Sequence, residues 1–224
     1  MLRAEVELGL ATALRDAGEA GASIEHLRAA VAAHADAPEE GLAIRVQLGR
    51  ALRDASRLDE ARTELTAALA ASIEAYGEND ARVGDAELAL ADVALASGAA
   101  DEALELARKA VKVFVEGRGP EDPSVHLALT QLGAACLALD RDTDAVAAFE
   151  RAVAVGKAAG IDAPTLAASQ LSLASALWRV GEEERAEELA RAARITAAEA
   201  KPPDGITAAA IDDWFDRRSL DPQG

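Results

Sequence analysis

Leu132-Gly133-Ala134-Ala135-Cys136-Leu137-Ala138-Leu139-Asp140-Arg141-Asp142-Thr143-Asp144-Ala145-Val146-Ala147-Ala148-Phe149-Glu150-Arg151-Ala152-Val153 holds the pattern on which the rest of the chain is built. Small and apolar residues recur at helical spacing as far as Leu139. Asp140 breaks the run, and a second amphipathic run follows. Four other segments fall in phase with it: Leu10-Ala11…Leu14…Gly18…Ser23…Leu27, Leu48-Gly49…Leu52…Ser56…Ala61…Leu65, Leu90-Ala91…Ala94…Gly98…Ala103…Ala107 and Leu173-Ala174…Leu177…Gly181…Ala186…Ala190. The small residue that opens each second run stands at 23, 61, 103, 145 and 186, at steps of 38, 42, 42 and 41. A single helix pair cannot bury its own apolar face. A repeat of this length therefore predicts helical hairpins stacked into one continuous core.

The punctuation between runs carries turn chemistry. Gly18, Gly98 and Gly181 suit a helix end that requires a left-handed residue, and Ser56 and Asp140 stand in for glycine at the same place. The connectors Asp36-Ala37-Pro38, Gly77-Glu78-Asn79-Asp80, Gly117 to Pro123 and Gly160 to Pro164 put Pro and carboxylates where a new helix begins. Small residues after the first Leu of each unit, and at the start of each second helix, predict close backbone approach. The boundaries expected are an array over 1–200, with units at about 2–36, 38–77, 80–117, 121–160 and 163–200, and a capping helix and tail over 201–224. In that tail Ile206 to Arg218 reads as an amphipathic helix whose Ile211, Trp214 and Phe215 cover the last hairpin, after a Lys201-Pro202-Pro203-Asp204-Gly205 turn.

Composition fits an all-α chain and narrows its partners. Of 224 residues 58 are alanine, the strongest helix former, and only 3% are aromatic, so the core is thin and close-packed. With 23 Lys+Arg against 40 Asp+Glu the net charge is −17, which excludes counterion-driven nucleic-acid binding and disfavours an anionic membrane. Glu5 and Glu7 interrupt any signal-peptide core, and no apolar run reaches the roughly 18–20 residues of a membrane span. The helical pattern starts already at Leu2, as in a piece of a longer chain. The lone Cys136 excludes an intrachain disulfide or Cys-based zinc site and suits a reducing, cytoplasmic setting.

No constellation here performs a reaction. His26, His34 and His126 lack a completing ligand set and read as surface or groove histidines, and Cys136 reads as packing between helices. Gly119 belongs to a connector and not to a phosphate loop. The run Glu182-Glu183-Glu184 reads as a solvated helix start. The chain is read as a non-enzyme without metal or cofactor.

The phased residues resemble the tetratricopeptide repeat, and the period near 42 is similar to its longer kinesin-light-chain type. Gly119-Pro120-Glu121-Asp122-Pro123-Ser124-Val125 looks like that subtype's Gly-x-Glu-His-Pro-x-Val linker, with Asp122 where His is usual. The fold implied is an α-α superhelical solenoid of five hairpins. The stretch from Leu166 to Trp178, with Arg185 to Ala190 and Ile211 to Trp214, is similar to the repeat tails of myxobacterial-type Ser/Thr protein kinases. In the repeat family the first helices line a concave wall. That resemblance places Arg15, Arg50, Arg53, Asp92, Leu127, Leu137, Trp178 and Arg179 in a partner-binding groove. Arg15, Arg50 and Arg53 form a basic cluster suited to an acidic, partly apolar peptide. The same arginines are alternatively structural partners of Asp16 and Asp54, and Trp178 is alternatively a contact for the capping helix. The Lys/Asn clamp for a peptide carboxyl terminus is absent at these offsets. The function implied is a protein-interaction module, and the alternative is a self-association or regulatory segment of a larger signalling protein.

Overall fold

The computed structural model describes residues 2–16, 19–34, 38–199 and 205–218. Among them the secondary structure is helical throughout, and the chain forms two compact units, 1–118 and 119–224. The first holds α1 (Leu2–Asp16), α2 (Ala20–Ala33), α3 (Pro38–Asp54), α4 (Leu58–Tyr76), α5 (Ala81–Ala96) and α6 (Ala100–Arg118). The second holds α7 (Pro123–Ala138), α8 (Asp142–Ala159), α9 (Ala163–Arg179), α10 (Glu183–Ala198) and α11 (Gly205–Asp216). Helices pair as hairpins α1/α2, α3/α4 and α5/α6 in the first unit and α7/α8 and α9/α10 in the second. Within each unit the second helix of one hairpin packs on the first helix of the next, α2 on α3, α4 on α5 and α8 on α9, and α3 also touches α5. This is the all-α repeat architecture that the phased segments predict. No helix of the described residues is long and apolar enough to cross a membrane.

The hairpin turns repeat one hydrogen-bonded motif. Arg57 N–H donates to the Leu52 carbonyl at 2.8 Å and Ser56 N–H to that of Arg53 at 2.8 Å. The same pair of bonds recurs as Ala99 to Ala94 with Gly98 to Leu95, Arg141 to Cys136 with Asp140 to Leu137, and Glu182 to Leu177 with Gly181 to Trp178. These 6→1 and 5→2 closures need a left-handed residue. Accordingly Ser56 has φ 59°, Asp140 55°, Gly98 78° and Gly181 82°, as the sequence predicts; Gly18 lies outside the described residues. Between hairpins the caps are carboxylates. Asp80 accepts from Arg82 N–H, Asp122 from Ser124 N–H and Asp162 from Thr165 N–H, each satisfying a donor that the helix start leaves open.

Close approach explains the small residues. Ala11, Ala91 and Ala174 on the first helices and Ser23, Ala61, Ala103, Ala145 and Ala186 on the second are all at most 1% exposed. In hairpins α3/α4 and α7/α8 Gly stands on the first helix against a large side chain of the second. A Cβ added at Gly133 would lie 2.6 Å from the Phe149 ring, and one at Gly49 would strike Leu65. Ala91 and Ala174 sit in the same register opposite the small Ala107 and Ala190. Cys136 is buried, as read from its position.

His126 is a correction. It is 1% exposed, neither a surface nor a groove residue, with its Nδ1–H donating to the Ala152 carbonyl at 2.9 Å and its Nε2 3.3 Å from Ser169 Oγ. A ring with a partner at each nitrogen can be buried between α7, α8 and α9, which apolar periodicity alone does not reveal. Helix α11 packs on α10 and α9 and buries Ile211, Trp214 and Phe215. The indole Nε1–H of Trp214 donates to Ser175 Oγ at 3.1 Å. Lys201 to Asp204 of the expected turn lie outside the described residues.

Candidate functional site

In the first unit α3 and α5 are neighbouring first helices, and a pocket of about 260 Å³ opens between them and the end of α4. Leu42, Val46, Gln47 and Arg50 of α3, Tyr76 of α4 and Asp85 of α5 line it. Its charges differ in how firmly they are held. Asp85 receives the Arg118 guanidinium at 2.7 Å. Arg82, also on the lining, holds Asp80 through two nitrogens at 2.7 and 2.8 Å and stacks over the Tyr76 ring at 3.3 Å. Those bonds hold the Asp80 carboxyl down at about 2. Arg50 has no salt bridge among the described residues, so its guanidinium is the cation this pocket can offer to a ligand.

Arg53, three residues on, is engaged. It reaches Asp54 at 2.6 Å and, across to α5, Asp92 at 2.6 Å. The Asp92 side chain is only 14% exposed, and one of its oxygens is enclosed without a hydrogen-bond partner. Burial raises its carboxyl above the usual range, against the pull of Arg53 and Arg50. Arg53 and Asp92 therefore tie two hairpins together, as the structural reading of the arginines anticipates for Asp54. The side chains of Arg15 and Asp16 lie outside the described residues.

In the second unit Leu127 on α7 is 48% exposed, and Leu137 on the same helix is half-buried. Arg179 reaches Asp140 at 2.8 Å and Asp142 at 2.6 Å, which fixes the end of α9 to the preceding hairpin turn. Trp178 meets Trp214 edge-on with centroids 5.7 Å apart, and the Arg218 guanidinium lies 5.0 Å from the Trp178 ring and 4.1 Å from that of Trp214. The structure thus brings together Arg53 and Asp92, sets Arg50 beside them, and gives Trp178 to the capping helix. Tyr76 and Arg82 escape a reading by groove offsets because one ends a second helix and the other opens a first. The signal present in the sequence is their position on either side of the Gly77 connector.

Among the described residues no group of His, Cys, Asp and Glu is placed to hold a metal ion. His26 contacts Glu7 at 2.6 Å, and the His34 ring faces its own helix at the Ala30 carbonyl.

Residues 42–114 and 88–164 each match the tetratricopeptide repeat family. A Podosopora anserina kinesin light chain-type protein with nearly identical TPR-like repeats is 25% identical, with a TM-score of 0.72 over 89% of this chain and 97% of its own. BtubC (BKLC) from P. vanneervenii gives 20% identity and a TM-score of 0.74 over 84% of this chain and 77% of its own. A Rap protein complexed with Competence and Sporulation Factor gives 14% and 0.79 over 98% of this chain and 66% of its own. The last two likenesses are of fold. No curated protein matches the sequence. Phased hairpins, shared turn bonds, small-residue contacts and two family matches converge, and the chain is a tetratricopeptide-repeat protein.

Proposed function

We propose that this protein is a non-catalytic interaction module that holds a partner's acidic, partly apolar peptide segment against α3 and α5. The observation that carries this reading is Arg50, a cation without a salt bridge among the described residues, set in a pocket walled by Leu42 and Val46. A guanidinium of that kind binds a carboxylate in fork geometry, and the aliphatic wall takes the neighbouring side chain. The net charge of −17 repels an acidic partner at long range, so the guanidinium must act at contact and not by steering. The fold supports a protein or peptide partner in general, and a neighbour of the same fold was crystallised with a bound factor. The buried Cys136, outside any disulfide, suits a cytoplasmic setting.

Screening the protein against peptides that pair Asp or Glu with Leu or Val tests the proposal. Arg50→Glu weakens the best binder at least about tenfold, as loss and reversal of a charge-assisted pair requires. Unchanged affinity in a folded variant overturns it. Arg53 is no substitute in this test, because its replacement strands Asp92.

Self-association is the second reading, and Val6 and Leu10 of α1 favour it. They are 63% and 44% exposed where the corresponding Ile44 and Leu48 are buried. Mass by light scattering that rises with concentration, and returns to the monomer value in Val6→Glu, supports it. A strict monomer excludes it. A regulatory place beside a kinase belongs to this alternative.

A further inference from the structure

A second pocket, of about 240 Å³, lies in the first unit between α4, α5 and α6 and shares no residue with the one around Arg50. Its lining includes Glu87 of α5, Glu78 of the connector and Lys109 and Lys112 of α6, with Ile73 and Val83 among its aliphatic walls. Glu87 is 6% exposed, and its Oε2 is enclosed with no hydrogen-bond partner. Native structures seldom bury a carboxylate oxygen unpaired, because desolvation is uncompensated, and such a group calls for a donor. Lys109 acts on Glu87 at a distance that leaves Oε2 without a bond, and Glu78 adds a second negative charge nearby. Both lysines are exposed.

We propose that this pocket binds a small aliphatic α-amino acid, its ammonium on Glu87 and Glu78, its carboxylate on Lys109 and Lys112, and its side chain on Ile73 and Val83. Two carboxylates and two ammonium groups match a zwitterion. A simple amine meets the repulsion of both lysines, and a simple carboxylate that of both glutamates. An ammonium supplies three donors to an oxygen that has none. The volume is below that of drug-sized sites and suits a ligand of this size. The site is independent of the peptide reading, because it shares no lining residue with the pocket around Arg50.

Thermal unfolding of the full chain with L-valine, isobutylamine or isovalerate provides the test. L-valine raises the unfolding midpoint as its concentration increases, and at ten times its Kd the folding equilibrium constant grows about elevenfold. Isobutylamine, which lacks the carboxylate, and isovalerate, which lacks the ammonium, leave the midpoint unchanged. Glu87→Gln abolishes the response. Lys112→Ala, exposed and outside the core, weakens binding at least about fivefold by calorimetry, and it carries the test if Glu87→Gln does not fold. No response to L-valine at about 50 mM overturns the proposal, as does an equal response to isovalerate or undiminished binding in Lys112→Ala.

Discussion

Left-handed turns, glycine contacts and one buried carboxyl set the residue-scale expectations. Ser56 holds φ 59° without the freedom of glycine, at a cost of about 1–2 kcal/mol. Ser56→Gly therefore stabilises the chain by up to about 1 kcal/mol after the added chain entropy, as urea unfolding will show, whereas Gly98→Ala destabilises by a similar amount. Gly133→Ala forces a methyl toward the Phe149 ring and costs about 1–3 kcal/mol. In a Phe149→Ala background the penalty shrinks, which a double-mutant cycle reads. Burial pushes the Glu87 carboxyl up to about 7. Its folded value thus exceeds its unfolded one. Its contribution is fully present below about pH 4.5 and is lost as pH rises through about 7, a change on the order of 2–3 kcal/mol. Glu87→Gln flattens the stability profile across that window, and a slope equal to wild type contradicts the assignment. The left-handed serine and aspartate were legible because each fell where other repeats place glycine. Glu87 was not, because a buried carboxylate looks in sequence like any of 40 acidic residues.

Element by element, the repeat imposes equivalent environments, and the first hairpin departs from them. Positions occupied by Ile44, Ala86, Ala128 and Ser169 are at most 5% exposed, yet Val6 in the same register is 63% exposed. Ile44→Ala accordingly costs about 2–5 kcal/mol in chemical unfolding and Val6→Ala well under 1 kcal/mol. At the other end α11 is tied down by Trp214 against Trp178 and Ser175. Trp214→Ala releases α11, so amide exchange in Ile211 to Phe215 rises toward that of an unstructured segment while α7 and α8 stay protected. Ile211, Trp214 and Phe215 were readable as a cover from their helical spacing after Pro202-Pro203. Burial of His126 was not readable, since it depends on a carbonyl of α8 and a hydroxyl of α9 that lie 26 and 43 residues away.

For the whole molecule, the period and its small residues carried the architecture, since steps near 42 with buried Ala, Gly and Ser allow little else. The site was legible to the level of a helix face. The basic cluster of Arg50 and Arg53 was visible, but only packing divides it into a structural arginine bound to Asp54 and Asp92 and one left for a ligand. Charge spacing alone does not record which carboxylate faces which guanidinium. A photo-crosslinker placed at Gln47 in that pocket, with Arg108 on α6 as the exposed control, tests most directly whether a partner segment lies against α3 and α5 at Arg50. The best acidic peptide is expected to crosslink from position 47, Arg50→Glu to abolish the product, and position 108 to stay unlabelled. Equal labelling from both positions, or a position-47 product that survives Arg50→Glu, contradicts that placement.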